Sequence, residues 1–355
     1  MNKSDSERLA GVLEQNGYKN TDNKYQADLV VVNTCGVRQT AEDRIYGLIH
    51  GIKKANRKAK IILTGCLVNR QDVKRRLDKV VDYWLSITQI FNFSGYARSG
   101  KAGQFSIFKQ FSNPNFQTNT KCENDYLKIR PKYDSEFSAF VPIGNGCDNF
   151  CSYCVVPYAR GREVYRPVKD VIDEVKNLVR KKYKEIILIA QNVNSYKSGK
   201  IDFAGLLKLA NNVKGDFWLK FMTNHPKDMS DKLIRTMANC EKVCRHVHLP
   251  AQAGDDDILV AMNRKYAIAY YIKLVGKIRK VLNDQTNLKQ NLWNPPAAIT
   301  TDIIVGFPGE TKKQFNNTAK LMREVKFDMA YIAKYSVRPG TAAAKLSDNV
   351  SGAEK

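Results

Sequence analysis

The chain has 355 residues, longer than one average domain, and a two-domain organisation is expected. It carries 58 Lys and Arg against 35 Asp and Glu, a formal charge of +23, which exceeds what solubility needs and points to a polyanionic partner. There is no signal-peptide pattern and no apolar run long enough to span a membrane, so the eight cysteines are read as metal-bound thiols of a reducing cytoplasm and not as disulfides.

In chain order, Ser4 to Gln15 shows the spaced Leu9, Val12 and Leu13 of an amphipathic helix that stops near Asn16 and Gly17. Asp28 to Val32 and Lys60 to Leu63 read as buried strands, and Val80 to Leu85 as a third. Thr40 to about Lys58 and Asn69 to Leu77 read as helices between them. Strands alternating with helices predict a parallel, doubly wound sheet. Cys35 and Cys66 each stand just past the carboxyl end of a strand, on the edge where open α/β sheets bind ligands. Basic runs such as Lys53 with Lys54, Lys74 to Arg76 and Arg180 to Lys182 are read singly as solvated helix faces, and only their sum argues for nucleic acid.

From Arg98 to about Glu136 the periodicity fades into a linker composition that contains Cys122. The expected division is a first α/β domain over 1–110, a linker over 111–135 and a second domain over 136–345. The second domain presents six strand-helix units. Its strands are Phe140 to Ile143, Glu185 to Ala190, Trp218 to Met222, His246 to Leu249, Thr300 to Val305 and Met329 to Tyr335. Helical patterns fill the intervals, as in Val168 to Lys182, Asp228 to Asn239, Tyr266 to Leu282 and Thr311 to Val325. Such an array makes a partial (β/α)6 barrel with its function at the carboxyl ends of the strands. Asn283 to Pro296 is longer and more polar than a usual connection and reads as a surface insertion.

The most specific stretch follows the first of these strands. Cys147, Cys151 and Cys154 are spaced C-x3-C-x2-C, so one short loop supplies three thiolates to a cubane iron-sulfur cluster and leaves the fourth iron open. A structural zinc site wants four closed ligands, usually in two separated pairs, and fits this triplet poorly. The other strand ends offer Gln191, Asn192, Asn194, His225, His248, Gln252 and Asp302 as polar groups for a bound cofactor.

The triplet and the residues after it, Val155-Val156-Pro157-Tyr158 and Arg160-Gly161-Arg162-Glu163-Val164, resemble the radical S-adenosylmethionine methylthiotransferases, closest to the tRNA 2-methylthio-N6-dimethylallyladenosine synthases. Ala190 to Tyr196, His248 to Gly254, Asp302 to Thr311 and Tyr335 to Thr341 extend the resemblance over nearly the whole chain. It implies a first 4Fe-4S cluster on Cys147, Cys151 and Cys154 that chelates S-adenosylmethionine, and an auxiliary 4Fe-4S cluster on Cys35, Cys66 and a third cysteine. That third cysteine is expected ahead of Met1, because Met1-Asn2-Lys3-Ser4-Asp5-Ser6 matches the family only from inside its motif. A carboxy-terminal RNA-binding barrel is expected beyond residues 346–355.

The resemblance further implies a tRNA anticodon stem-loop as substrate, a flavodoxin or ferredoxin as electron donor, and a cytoplasmic monomer. The charge of +23 and the position of Arg160, Arg162 and Arg166 beside the cysteine loop point to these arginines as facing RNA, the equal alternative being that they pair with carboxylates inside the fold. The readings beside it are methylthiolation of threonylcarbamoyladenosine in tRNA or of an aspartate in a ribosomal protein. A different class is a non-catalytic, metal-stabilised RNA-binding protein.

Overall fold

A computed structural model describes residues 1–37, 39–87, 89, 126–284 and 296–355. The chain divides into two units, the first of Met1–Asp134 with Tyr158–Gly161, the second of Ser135–Pro157 with Arg162–Lys355. Cys122 and the centre of the polar insertion, 285–295, lie outside the described residues.

The first unit runs α1 (Asn2–Gln15), β1 (Leu29–Thr34), α2 (Gln39–Ala55), β2 (Lys60–Gly65), α3 (Gln71–Leu77) and β3 (Tyr83–Trp84). Its strands are parallel in the order β1-β2-β3, with Leu29 opposite Lys60 and Thr34 opposite Gly65. Alternate residues bury on opposite faces. Val30, Val32, Ile61 and Leu63 pack on Ile45, Ile49 and Ile52 of α2 and on Val73 and Leu77 of α3. Leu29, Val31 and Ile62 pack on Leu9 and Val12 of α1 and on Tyr126 and Leu127. Helices cover both faces, which is what strands apolar on both sides require and what the doubly wound reading predicts. The third strand is shorter than its apolar run, because Val80 and Val81 donate to Leu77 O, both at 2.9 Å, and so continue the turn after α3. Asp82 then fastens the strand to its neighbour, accepting from Lys53 Nζ at 2.8 Å and from Ile61 N at 2.9 Å.

In the second unit the six long strands are β4 (Ser138–Pro142), β7 (Glu185–Ile189), β10 (Trp218–Phe221), β11 (His246–His248), β12 (Ala298–Val305) and β13 (Met329–Lys334). All neighbouring pairs are parallel, in the orders β10-β7-β4 and β11-β12-β13. A parallel bridge between Leu219 and Val243 joins the two sets, so the strands follow one another in chain order as in a partial barrel. The antiparallel ribbon β5 (Gly144–Asn145) with β6 (Val164–Tyr165) brackets the cysteine loop, and a hairpin forms from β8 (Lys197–Ser198) and β9 (Ile201–Asp202).

The helices are α4 (Val156–Arg160), α5 (Val168–Arg180), α6 (Phe203–Asn211), α7 (Asp231–Asn239), α8 (Asp256–Ala261), α9 (Ile268–Asn283) and α10 (Lys312–Val325). Their starts are set by side chains. Ser230 caps α7 by accepting from Leu233 N, and Thr311 caps α10 in a reciprocal pair with Gln314. Ser230 explains why α7 starts later than its polar pattern suggests, since Pro226–Asp228 forms a separate 3-10 turn. No helix of the described residues is long and apolar enough to cross a membrane.

Candidate metal centre and cofactor site

The cysteine loop starts where β4 ends. Ile143 N still donates to Ile189 O at 2.9 Å, and Gly146 then turns the chain into Cys147 with a left-handed φ of 82°. Cys151 is buried, while Cys147 and Cys154 are partly exposed. Burial pushes the Cys147 thiol up, and Asn149 opposes it by donating from Nδ2 to the Cys147 sulfur at 3.4 Å. Arg264 Nη1 donates to the Cys151 sulfur at 3.3 Å. Donors aimed at two of the three sulfurs fit thiolates that carry charge, as they do on iron. Among the described residues, no three or more His, Cys, Asp or Glu side chains close on a single metal ion. A cubane instead needs its three thiolates on three separate irons.

Polar groups gather at the carboxyl ends of the barrel strands. Asn192 Nδ2 donates to Asp228 at 2.8 Å and Asn224 Nδ2 to His248 O at 2.9 Å, which fixes both amides and leaves their oxygens buried without a partner. The side-chain oxygens of Gln191 and Gln252 are likewise buried and unpartnered. Buried acceptors are nearly always paired, so four of them after three consecutive strands mark a place for a donor-rich guest. The ammonium and ribose hydroxyls of S-adenosylmethionine are such donors. Gln252 also holds a left-handed φ of 69°, tied to β12 by its N to Asp302 O at 2.9 Å and by Ile304 N to its own O at 2.8 Å.

The histidines are locked in defined forms. His225 Nδ1 accepts from Lys227 N at 3.2 Å, so Nε2 carries its proton. Burial, then the charges of Arg264 and Lys227, lower its pKa to about 2, and it stays neutral. His248 Nε2 lies 3.2 Å from the Asp302 carboxylate, which can only accept. In the neutral ring its Nδ1 then accepts from the Thr300 hydroxyl at 3.0 Å, whose oxygen lies 3.0 Å from His246 Nε2. A chain of hydrogen bonds thus runs from His246 to Asp302. Asn194 is spent differently. It donates to His225 O and accepts from His225 N, both at 3.0 Å, and so fastens two loops.

In the first unit, Cys35 and Cys66 leave β1 and β2 directly after the paired residues Thr34 and Gly65. The strand ends come so close that a Cβ on Gly65 would lie 2.4 Å from Thr34 O, and its φ is 86°. Only glycine fits there, and it turns Cys66 onto the rim beside Cys35. Asn33 Oδ1 and Thr64 Oγ1 on the same rim are buried and unpartnered.

The three arginines expected to face RNA have different surroundings. Arg160 is buried in the first unit, where its Nη2 meets Asp5 Oδ2 at 2.6 Å and Asn2 Oδ1 at 3.0 Å. Arg166 is buried in the second, where Nη1 meets Glu174 at 2.6 Å and Pro142 O at 2.8 Å. Both are removed from the RNA-facing set by these carboxylates. Arg162 is exposed, with a 2.8 Å pair to Asp148. Asn224 and Arg264 were not singled out from the sequence. Asn224 stood beside His225 in the same strand-end loop, whereas nothing in the spacing of Arg264 ties it to a cysteine 113 residues away.

The description "Radical SAM superfamily" matches residues 141–322, and "Uncharacterized protein family UPF0004" matches residues 1–86. A tRNA-2-methylthio-N(6)-dimethylallyladenosine synthase of Clostridium novyi (strain NT) is 41% identical over 368 residues, covering 99% of this chain and 75% of the relative. One of Thermoanaerobacter sp. (strain X514) is 43% identical over 363 residues, covering 100% and 73%. In fold, the chain is similar to the radical S-adenosylmethionine methyltransferase TsrM of Kitasatospora setae, with a TM-score of 0.61 at 13% identity over 96% of this chain and 73% of the other. The chain belongs to the radical SAM superfamily and, within it, to the family of the tRNA-2-methylthio-N(6)-dimethylallyladenosine synthases.

Proposed function

We propose that the chain converts N6-dimethylallyladenosine, next to the anticodon of tRNA, into its 2-methylthio form. The observation that carries this reading is the C-x3-C-x2-C loop at the mouth of a barrel whose strand ends hold four unpartnered acceptors. When bound, a 4Fe-4S cluster and S-adenosylmethionine supply the one-electron chemistry that opens an unactivated aromatic C–H, which acid-base catalysis does not readily functionalise.

This chain's residues hold and orient. Cys147, Cys151 and Cys154 are the ligands of that cluster, and Cys35 and Cys66 are ligands of an auxiliary cluster on the first unit. Gln191, Asn192, Asn224 and Gln252 accept hydrogen bonds from S-adenosylmethionine. The chain His246, Thr300, His248 holds Asp302 in place as a further acceptor at the mouth. Arg162 gives its exposed guanidinium to RNA phosphate. The partners are the tRNA anticodon stem-loop and a flavodoxin- or ferredoxin-type donor, and the compartment is the cytoplasm.

The test is mass spectrometry of tRNA nucleosides from cells lacking, and then regaining, the full-length protein. The 2-methylthio-N6-dimethylallyladenosine peak is expected to vanish and return. Its persistence, with loss of a threonylcarbamoyl derivative instead, would overturn the substrate assignment.

A further inference from the structure

The loop that carries the cysteines is moulded by a second segment, the turn after α8. Ser152 N donates to Met262 O at 3.0 Å and Ser152 Oγ to Ala261 O at 2.7 Å. Asn263, in a left-handed conformation with φ 55°, donates from Nδ2 to Phe150 O at 2.8 Å. From the other side Ala343 N donates to Ser152 O at 2.8 Å. The backbone between the first and last cysteine is therefore held at fixed height, and the next residue of the turn, Arg264, reaches the Cys151 sulfur.

Arg264 is itself immobilised. It is 7% exposed, its N donates to Leu259 O at 2.8 Å, its Nη2 to Pro250 O at 3.1 Å and its Nε to Tyr266 Oη at 3.0 Å. Tyr266 Oη in turn donates to Ala251 O at 2.8 Å. Among the described residues no carboxylate forms an ion pair with Arg264. A buried guanidinium keeps its charge and is costly without an anion, and the anion the fold offers is the Cys151 sulfur. On iron that sulfur is a thiolate and carries negative charge.

We propose that Arg264 is a positioning residue of the cluster reading given above, holding a fixed positive charge on the Cys151 sulfur so that the reduced cluster is favoured over the oxidised one. The step concerned is the gain of one electron from an external reductant by a 4Fe-4S cluster on Cys147, Cys151 and Cys154. No proton moves and Arg264 keeps its charge. A cluster held there would become one unit more negative on reduction, so Arg264, at hydrogen-bond distance from the Cys151 sulfur, would stabilise the reduced form more than the oxidised one and raise the potential.

The experiment uses the full chain with Cys35→Ser and Cys66→Ser, so that only the cluster on the cysteine loop is read, and compares Arg264→Gln with Arg264→Lys. Iron content and visible absorption report loading. The EPR signal of the reduced cluster, titrated with dithionite and mediators, reports the midpoint, and equilibrium dialysis reports S-adenosylmethionine affinity. Arg264→Gln is expected to load like its parent and to shift the reduction equilibrium about tenfold toward the oxidised form, a fall of about 59 mV for one electron. Arg264→Lys, which keeps the charge without the fork, should fall less. Full loading with an unchanged midpoint would overturn the proposal, as would a change confined to S-adenosylmethionine affinity. If Arg264→Gln loses its iron, Arg264→Lys decides, because it keeps the charge but not the fork that spans the Cys151 sulfur and Pro250 O: a lowered midpoint supports the proposal and an unchanged one overturns it. A parent that takes up no cluster would overturn the cluster reading itself, a result separable from the others by iron alone.

Discussion

Replacing Arg160, Arg162 and Arg166 one at a time by Ala separates two effects that the sequence alone merges. Arg166 pairs with Glu174, the two side chains being 6% and 13% exposed, and Arg160 pairs with Asp5 at 5% and 1%. Removing either guanidinium takes the arginine partner from a buried or largely buried carboxylate, which costs about 3–5 kcal/mol. Arg162 and Asp148 are 75% and 37% exposed, and their pair contributes only about 0–1 kcal/mol, so the arginine is readily given up to a phosphate. The assays are urea or thermal unfolding of each variant, and affinity for an anticodon stem-loop RNA across a salt series. Arg162→Ala should leave stability unchanged and flatten the slope of log K against log salt by about 0.7–0.9, one phosphate contact. Arg160→Ala and Arg166→Ala should lower stability and leave the slope of the folded protein as it was. Restoring stability with Arg166→Met in a Glu174→Leu background would show that the stranded charge was the cause. A flattened slope in Arg166→Ala at unaltered stability would refute the assignment, because it would require Arg166 to reach RNA from inside the fold.

Ala in place of Cys147, Cys151 or Cys154 is expected to remove one cluster, roughly four iron atoms, and to abolish deoxyadenosine formation; either activity or iron surviving in a variant counts against that ligand. Gly65→Ala puts a Cβ 2.4 Å from Thr34 O and should lower iron bound by the first unit while the second loads normally, as read by iron analysis of the variant beside Cys35→Ser. Asn224→Ala, which empties one unpartnered acceptor, should weaken S-adenosylmethionine binding about fivefold to tenfold in equilibrium dialysis, a hydrogen bond being worth about 1 kcal/mol. His225 has a folded pKa of about 2 against about 6.5 unfolded, so the unfolded chain binds the extra proton between those values and stability falls as pH falls below about 6.5. The loss is about 1.4 kcal/mol per pH unit, or about 2 kcal/mol at pH 5, and unfolding of apo His225→Asn should lack that component.

The strands of both sheets were legible because a parallel strand covered on both faces is a short apolar run, as in Leu29 to Val32, Lys60 to Leu63 and Glu185 to Ile189. What periodicity does not encode is where a chain stops pairing. Val80 and Val81 have strand composition, yet their amides go to Leu77 O, and β3 shrinks to Tyr83–Trp84. The cysteines were legible because three ligands on one loop form a local pattern. Arg264 was not, because its link to Cys151 is made by the fold across 113 residues. Charge was the least transferable signal. A basic residue near a motif reads the same whether it is solvated like Arg162 or closed into a carboxylate pair like Arg160 and Arg166, and only burial tells the two apart.

The two units reach a similar local solution independently, and the reason is geometric. At the carboxyl end of a parallel strand the chain must leave the sheet at once to present a side chain on the rim, and a left-handed turn does this in one residue. Gly65, with a φ of 86°, makes that turn directly after β2 and before Cys66, and Gly146, with a φ of 82°, makes a like turn after the short antiparallel β5 and before Cys147. A buried arginine then accompanies the thiols: Arg264 touches the Cys151 sulfur, and the charge of Arg160 acts on Cys66. The arginines differ in their counter-charge. Arg160 is neutralised by Asp5, so little of its field is left for a group on the first rim, whereas among the described residues Arg264 has no carboxylate and its field falls on the sulfur. A metal cluster held by the cysteine loop should therefore be the easier of the two to reduce.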